Sequence, residues 1–122
     1  EGTRFGEAAS VERLLAASMT TAVKARKPLF VGEFGACETG QLAEERTRHL
    51  FARLLAAIEA AGVPLAALWV YDFPHQAKNW SVTPTNSRAY QLQAIAEANR
   101  KTNRQDAKKS GTTGETDRRR GG

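Results

Sequence analysis

Lys27-Pro28-Leu29-Phe30-Val31-Gly32-Glu33-Phe34-Gly35 is a short apolar run with a single carboxylate near its end. Its brevity, its β-branched and aromatic residues and its bounding Pro28 and Gly35 predict a buried β-strand and not a helix. Strict alternation sets Leu29, Val31 and Glu33 on one face and Phe30, Gly32 and Phe34 on the other. Glu33 then shares a face with two core side chains, where an ionised group is costly unless it is paired or chemically employed. Two readings follow: a structural glutamate bridged to a partner such as an arginine, or a functional carboxylate where the strand opens into a site.

Working outward, Ser10 is placed to cap a helix from about Val11 to Ala25, with Val11, Leu14, Leu15, Met19, Ala22 and Val23 on one stripe. Lys24, Arg26 and Lys27 suit the C-terminal end of its dipole, and Pro28 forbids continuation. On the other side of the strand, Gly35 to Gly40 reads as a loop holding Cys37 and Glu38. A second helix follows from about Leu42 to Ala61, its stripe made of Leu50, Phe51, Leu54, Leu55 and Ile58. Gly62 fits the position just past its end, before Val63-Pro64. Leu65-Ala66-Ala67-Leu68-Trp69-Val70-Tyr71 predicts a second buried strand. A longer loop, Asp72 to Pro84, leads to a third helix from about Thr85 to Asn99, with Ala89, Tyr90, Leu92, Ile95 and Ala96 inward.

Two apolar strands joined through a full helix are expected to be parallel, with a right-handed crossover. Each helix carries about five large apolar side chains, each worth about 1.5–3 kcal/mol when fully covered. Two strands offer too little surface for three such stripes, and both outer strand edges are left unpaired. The expectation is therefore a C-terminal piece of a larger α/β domain, with the missing strands before Glu1.

Composition bounds the function. The chain has 122 residues, 41% hydrophobic and 25% charged, which fits at most one ordinary globular domain. No apolar run approaches the roughly 20 residues that span a bilayer, and no signal leader is visible in a chain that starts at Glu1. Cys37, the single cysteine, excludes an internal disulfide. The net charge of +5 resides in residues 100–122; residues 1–99 hold equal numbers of basic and acidic side chains. That tail has no aromatic or large aliphatic residue and is expected to be disordered. Contact of Arg118, Arg119 and Arg120 with phosphates is the alternative, blind to sequence and lost with salt.

Both doubly wound sheets and (β/α)8 barrels supply alternating units of this length. No G-x-G-x-x-G fingerprint is present. In barrels the C-terminal ends of strands carry the chemistry. Glu33 is near the end of its strand and Trp69 near the end of the next. Counted by twos from Leu29 and Leu65, they have equivalent registers, on strands about 4.8 Å apart.

Pro28-Leu29-Phe30-Val31-Gly32-Glu33-Phe34-Gly35-Ala36, followed one βα unit later by Leu68-Trp69-Val70-Tyr71, resembles the seventh and eighth strands of clan A glycoside hydrolases, most closely the family 5 cellulase and mannanase group. The resemblance covers about Ser10 to Asn99. It implies the last two strands and flanking helices of a TIM barrel over 1–99, with 100–122 as a disordered basic tail. It implies retaining hydrolysis of a β-linked oligo- or polysaccharide such as cellulose or mannan. Glu33 matches the nucleophile and Trp69 the residue against the sugar at the cleavage site. No cofactor, metal, specific nucleic acid, membrane or obligate protein partner is implied, and export of the full-length protein is the family habit. The chain departs from the family in one respect: the acid/base glutamate belongs to an Asn-Glu pair on the fourth strand, and no such pair occurs here. The histidine and tyrosine that orient the nucleophile also belong to earlier strands. The chain alone is expected to be inactive.

Duller roles compete at each position. Trp69 also reads as barrel packing. Asp72, His75, Lys78 and Trp80 fall in the loop after the second strand, either lining more distant sugar positions or anchoring the loop and meeting solvent. Asp72 and His75 alone do not make a metal site. Cys37 lacks a neighbouring base, and His49 reads as a helix-surface or packing residue. The competing function is a non-catalytic α/β module whose basic tail binds anions or nucleic acid, with Glu33 structural.

Overall fold

The computed structural model describes residues 8–37 and 44–112. In chain order the elements are α1 (Ala8–Ala25), β1 (Phe30–Phe34), α2 (Glu44–Ala60), β2 (Leu65–Leu68), a 3-10 turn (Pro74–Gln76) and α3 (Ala89–Thr112). β1 and β2 pair in parallel as a two-stranded sheet, and α2 packs against both α1 and α3. The alternation of helix and strand expected from the apolar periodicities is therefore present.

One face of the sheet carries the core. Val31 and Phe34 of β1 and Ala66 and Leu68 of β2 pack with Leu15 of α1, Phe51, Ala57 and Ile58 of α2, and Tyr90, Ala94 and Ile95 of α3. Phe51 is the hub. Its ring stacks on Phe34 at a centroid distance of 6.0 Å and meets Tyr90 edge-on at 5.9 Å, so one aromatic chain ties β1, α2 and α3 together. The guanidinium of Arg48 caps this chain, 4.2 Å from the centre of the Tyr90 ring.

The other face is left open. Phe30 and Leu65 are partners across the strand pair, yet they are 55% and 62% exposed. Leu14 and Val23 of α1 and Leu50 of α2 are also exposed, so the stripes of both helices are only partly covered, as two strands dictate.

Several boundaries differ from those expected. α1 starts at Ala8, which puts Ser10 within the first turn instead of at the cap. The helix ends as Arg26 enters the left-handed region (φ 54°), with the Lys27 N–H donating to the Ala22 carbonyl before Pro28 is reached. Gly62 (φ 69°) ends α2 in the expected manner, and the Val63 N–H returns to the Ile58 carbonyl. β2 stops at Leu68, short of Tyr71, and the peptide bond between Trp69 and Val70 is cis. Tyr71 instead forms an isolated parallel bridge with Val82.

α3 begins at Ala89, four residues beyond Thr85, because Asn86 holds the preceding turn through its side chain. Its inner side is Gln91, Ala94, Ile95 and Ala98, whereas Ala96 is exposed. The same helix runs past Asn99 to Thr112, so residues 100–112, expected as a disordered tail, continue it, exposed from Arg100 to Ser110. Extending an established helix needs no new nucleus, and Arg100, Lys101, Arg104, Gln105, Ala107 and Lys108 favour helix. A Glu97–Lys101 ion pair at 3.2 Å spans the point where the core ends. Arg118, Arg119 and Arg120 lie outside the described residues, as does the loop residue Glu38.

Candidate active site at the strand ends

The register of the two strands decides where Glu33 points. Phe30 pairs with Leu65 and Val31 with Ala66, but the next pair is Phe34 with Leu68. β1 thus spends one more residue than β2 over this interval, and Gly32 and Glu33 together stand opposite Ala67. This bulge breaks the strict alternation that grouped Val31 with Glu33. Val31 and Phe34 both face the helices, and Glu33 is exposed rather than buried beside core side chains. The equivalence of Glu33 with Trp69 is corrected in the same step: pairing starts from Phe30, not Leu29, and Trp69 lies beside Gly35.

Glu33 immediately precedes, and Trp69 immediately follows, the core-facing pair Phe34 and Leu68; a regular pleat continued past the end of β2 would set both toward the same face. The strand ends are also locked together. The Trp69 N–H donates to the Phe34 carbonyl at 2.8 Å. A side chain at position 35 has no room, because the Trp69 carbonyl oxygen occupies the place its Cβ needs, with the Trp80 ring 3.7 Å away.

The segment after β2 is a clamped loop. The Asp72 N–H donates to the Val82 carbonyl at 3.1 Å and the Val82 N–H to the Val70 carbonyl at 2.8 Å, which brings the two ends of the loop together. Between them the Gln76 carbonyl accepts from the N–H groups of Asn79, Trp80 and Ser81 at 3.0–3.1 Å. Buried Arg88, just before α3, donates from Nε to the Ser81 carbonyl at 2.7 Å and from Nη2 to the Ala77 carbonyl at 2.6 Å. Asn86 Nδ2 adds a bond to the Ser81 carbonyl at 2.9 Å. The loop therefore hangs from α3 by side chains that satisfy its inward carbonyls.

This loop fixes Trp69. The indole Nε1–H donates to Gln76 Oε1 at 2.9 Å, and the ring is half-buried. A shallow hollow of about 510 Å³ lies in the loop itself, lined by Pro74 to Trp80. His75 and Lys78 are exposed along it, and His75 meets the Phe73 ring edge-on at 5.4 Å. Asp72 is exposed with φ 45°. His49 is exposed on α2, and Cys37 is half-buried after β1. Among the described residues no three carboxylate, histidine or cysteine side chains converge on a point that suits a metal ion.

Gln76, Arg88 and Gln91 have no counterpart in the sequence reading. Gln91 is fully buried, its Nε2 donating to the Ala36 carbonyl at 2.9 Å, which fastens α3 to the exit of β1. A polar residue at an inward helical position, such as Gln91 between Ala94 and Arg88, was the available signal for such anchors.

Compared with protein-family models, with curated proteins and with solved structures, the chain matches none. Among the described residues, no helix is long and apolar enough to cross a membrane.

Proposed function

We propose that this chain is the C-terminal part of a (β/α)8 barrel that hydrolyses β-glycosidic bonds with retention, with Glu33 as the nucleophile and Trp69 as the platform for the sugar ring. The observation that carries the reading is an exposed carboxylate and a half-buried indole at the C-terminal ends of adjacent parallel strands. Barrel enzymes build their sites at that end of the strands. The exposed pair Phe30 and Leu65 supports the same reading, since inward-facing apolar residues of barrel strands are covered by side chains from the other strands.

In this reaction Glu33, ionised, attacks the anomeric carbon as the bond to the leaving oxygen breaks, giving a glycosyl-enzyme ester. A second carboxyl about 5–5.5 Å away gives its proton to the leaving oxygen, then takes one from the water that displaces Glu33. That second group belongs to a strand outside this chain. The two carboxyls need opposite protonation states, and their mutual repulsion raises the pKa of the acid. Trp69 offers a flat apolar surface to the C–H face of the sugar and excludes water from the reacting bond. The class of substrate is a β-linked oligo- or polysaccharide.

The complete polypeptide, assayed on 2,4-dinitrophenyl β-glycosides, tests the assignment. Glu33→Gln should lower kcat on the order of a thousandfold or more. Glu33→Ala should regain activity with azide and release the α-glycosyl azide, because azide then enters from the face the carboxylate has vacated. A Glu33→Gln protein of wild-type rate, or release of the β-azide, removes Glu33 from the role of nucleophile.

A further inference from the structure

We infer that Gln76 is a positioning residue that sets the plane of the Trp69 indole, a role that rests on the reading of Trp69 as a sugar platform. Three observations carry it. The Gln76 side chain accepts the Trp69 indole proton at 2.9 Å, and an indole has no other polar atom by which to be oriented. The Gln76 main-chain carbonyl accepts from the N–H groups of Asn79, Trp80 and Ser81, so the residue is the node on which the loop turns. Arg88, just before α3, in turn holds the Ala77 and Ser81 carbonyls, which bound the turn that follows that node.

The consequence is a rigid train from helix to ring. Trp69 lies one residue past the end of β2 with its main-chain N–H still bonded to the Phe34 carbonyl, so what Gln76 adds is a hold on the indole itself. An aromatic platform works only when its plane is fixed against the sugar, because contact area falls as the ring tilts. Gln76 supplies that fixation without touching the reacting atoms. Its amide geometry matters because Oε1 is an acceptor; methionine has similar length and no comparable acceptor, whereas glutamate keeps one.

The test uses the complete polypeptide, labelled with ¹⁵N-tryptophan, with the Trp69 indole signal assigned by its loss in Trp69→Phe. Gln76→Met should move the Trp69 indole resonance and speed its hydrogen exchange. It should raise KM for cellotetraose or mannotetraose by about fivefold to tenfold, the scale of one neutral hydrogen bond, with a smaller change in kcat. Gln76→Glu should restore both. In a Trp69→Phe background, which keeps a flat ring and lacks the donor, Gln76→Met should have no further effect on KM. Melting curves accompany each variant, and if Gln76→Met does not fold, Gln76→Ser, too short to reach the indole, takes its place in both backgrounds with the same expected outcomes. The role is overturned if KM is unchanged in Gln76→Met while wild type turns over the glycan, or if Gln76→Met weakens turnover equally in the Trp69→Phe background. If wild type neither binds nor cleaves any β-glycan, the parent reading fails and the positioning role falls with it, even where the indole signal moves.

Discussion

Gly35 shows how tightly a single residue can be specified by a neighbour on another strand. The Trp69 carbonyl oxygen fills the space of a Cβ at this position, and it is backbone that cannot swing aside. Gly35→Ala must therefore push β1 from the end of β2, at about 1–3 kcal/mol by analogy with overpacked cores. Thermal denaturation of the complete polypeptide should register a fall of several degrees; an unchanged melting temperature means the two strand ends are looser than described here. Glu33 illustrates what sequence can and cannot say at this scale. Its place near the end of a short apolar strand followed from Pro28, Gly35 and the residue types between them. Its face did not, because the extra residue between Val31 and Phe34 is set by pairing with β2, a partner that alternation along one strand does not include. The carboxylate that alternation buried is in fact exposed. Trp69 was legible as a residue near the strand exit, but the hydrogen bond to Gln76 that orients it joins residues on either side of a turn whose shape the local sequence does not announce.

Elements were more legible than residues. The stripes on α1 and α2 place Leu15, Phe51 and Ile58 in the core as periodicity dictates. The third helix was harder, for two reasons. Its start is delayed by Asn86, whose side chain binds the N–H groups of Thr83 and Arg88, a local choice that competes with helix. Its end extends to Thr112 because composition argues only that residues 100–112 have nothing apolar to bury, not that they abandon an already nucleated helix. The core needs none of this extension, since the last inward residue of α3 is Ala98 and the residues from Asn99 to Ser110 are exposed. Deleting residues 100–122 should therefore leave glycoside hydrolysis by the complete polypeptide within about twofold of wild type and change its melting temperature little, as expected of surface changes. A loss of hydrolysis on this deletion, or a salt-sensitive binding activity that disappears with it, favours the competing role of the basic segment in holding anions. The loop from Asp72 to Pro84 reads in sequence as a stretch that either lines sugar positions or anchors itself, but the bonds that Arg88 and Asn86 make to its Ala77 and Ser81 carbonyls are not legible there.

At the scale of the whole molecule, the three α-helices among the described residues pack on one face of the two parallel strands, and Phe30 and Leu65 on the other face are exposed. The count of strands against helical stripes foretold that imbalance, and the exposure of Phe30, Leu65, Leu14 and Val23 is its physical expression. A parallel sheet finds cover on both faces when more strands close it into a barrel, and under the proposed function the same closure would bring a second carboxyl toward Glu33. Fold and chemistry are thus a single proposal: the open face is the barrel interior, and Glu33 stands at its catalytic rim. The most direct measurement is peptide mass analysis after incubating the complete polypeptide with a 2,4-dinitrophenyl 2-deoxy-2-fluoro-β-glycoside of cellobiose or mannobiose. One fluoroglycosyl group bound to Glu33, and turnover lost in step with labelling, is the predicted result. Turnover of β-glycans with the label on another carboxylate, or with no label at all, contradicts it.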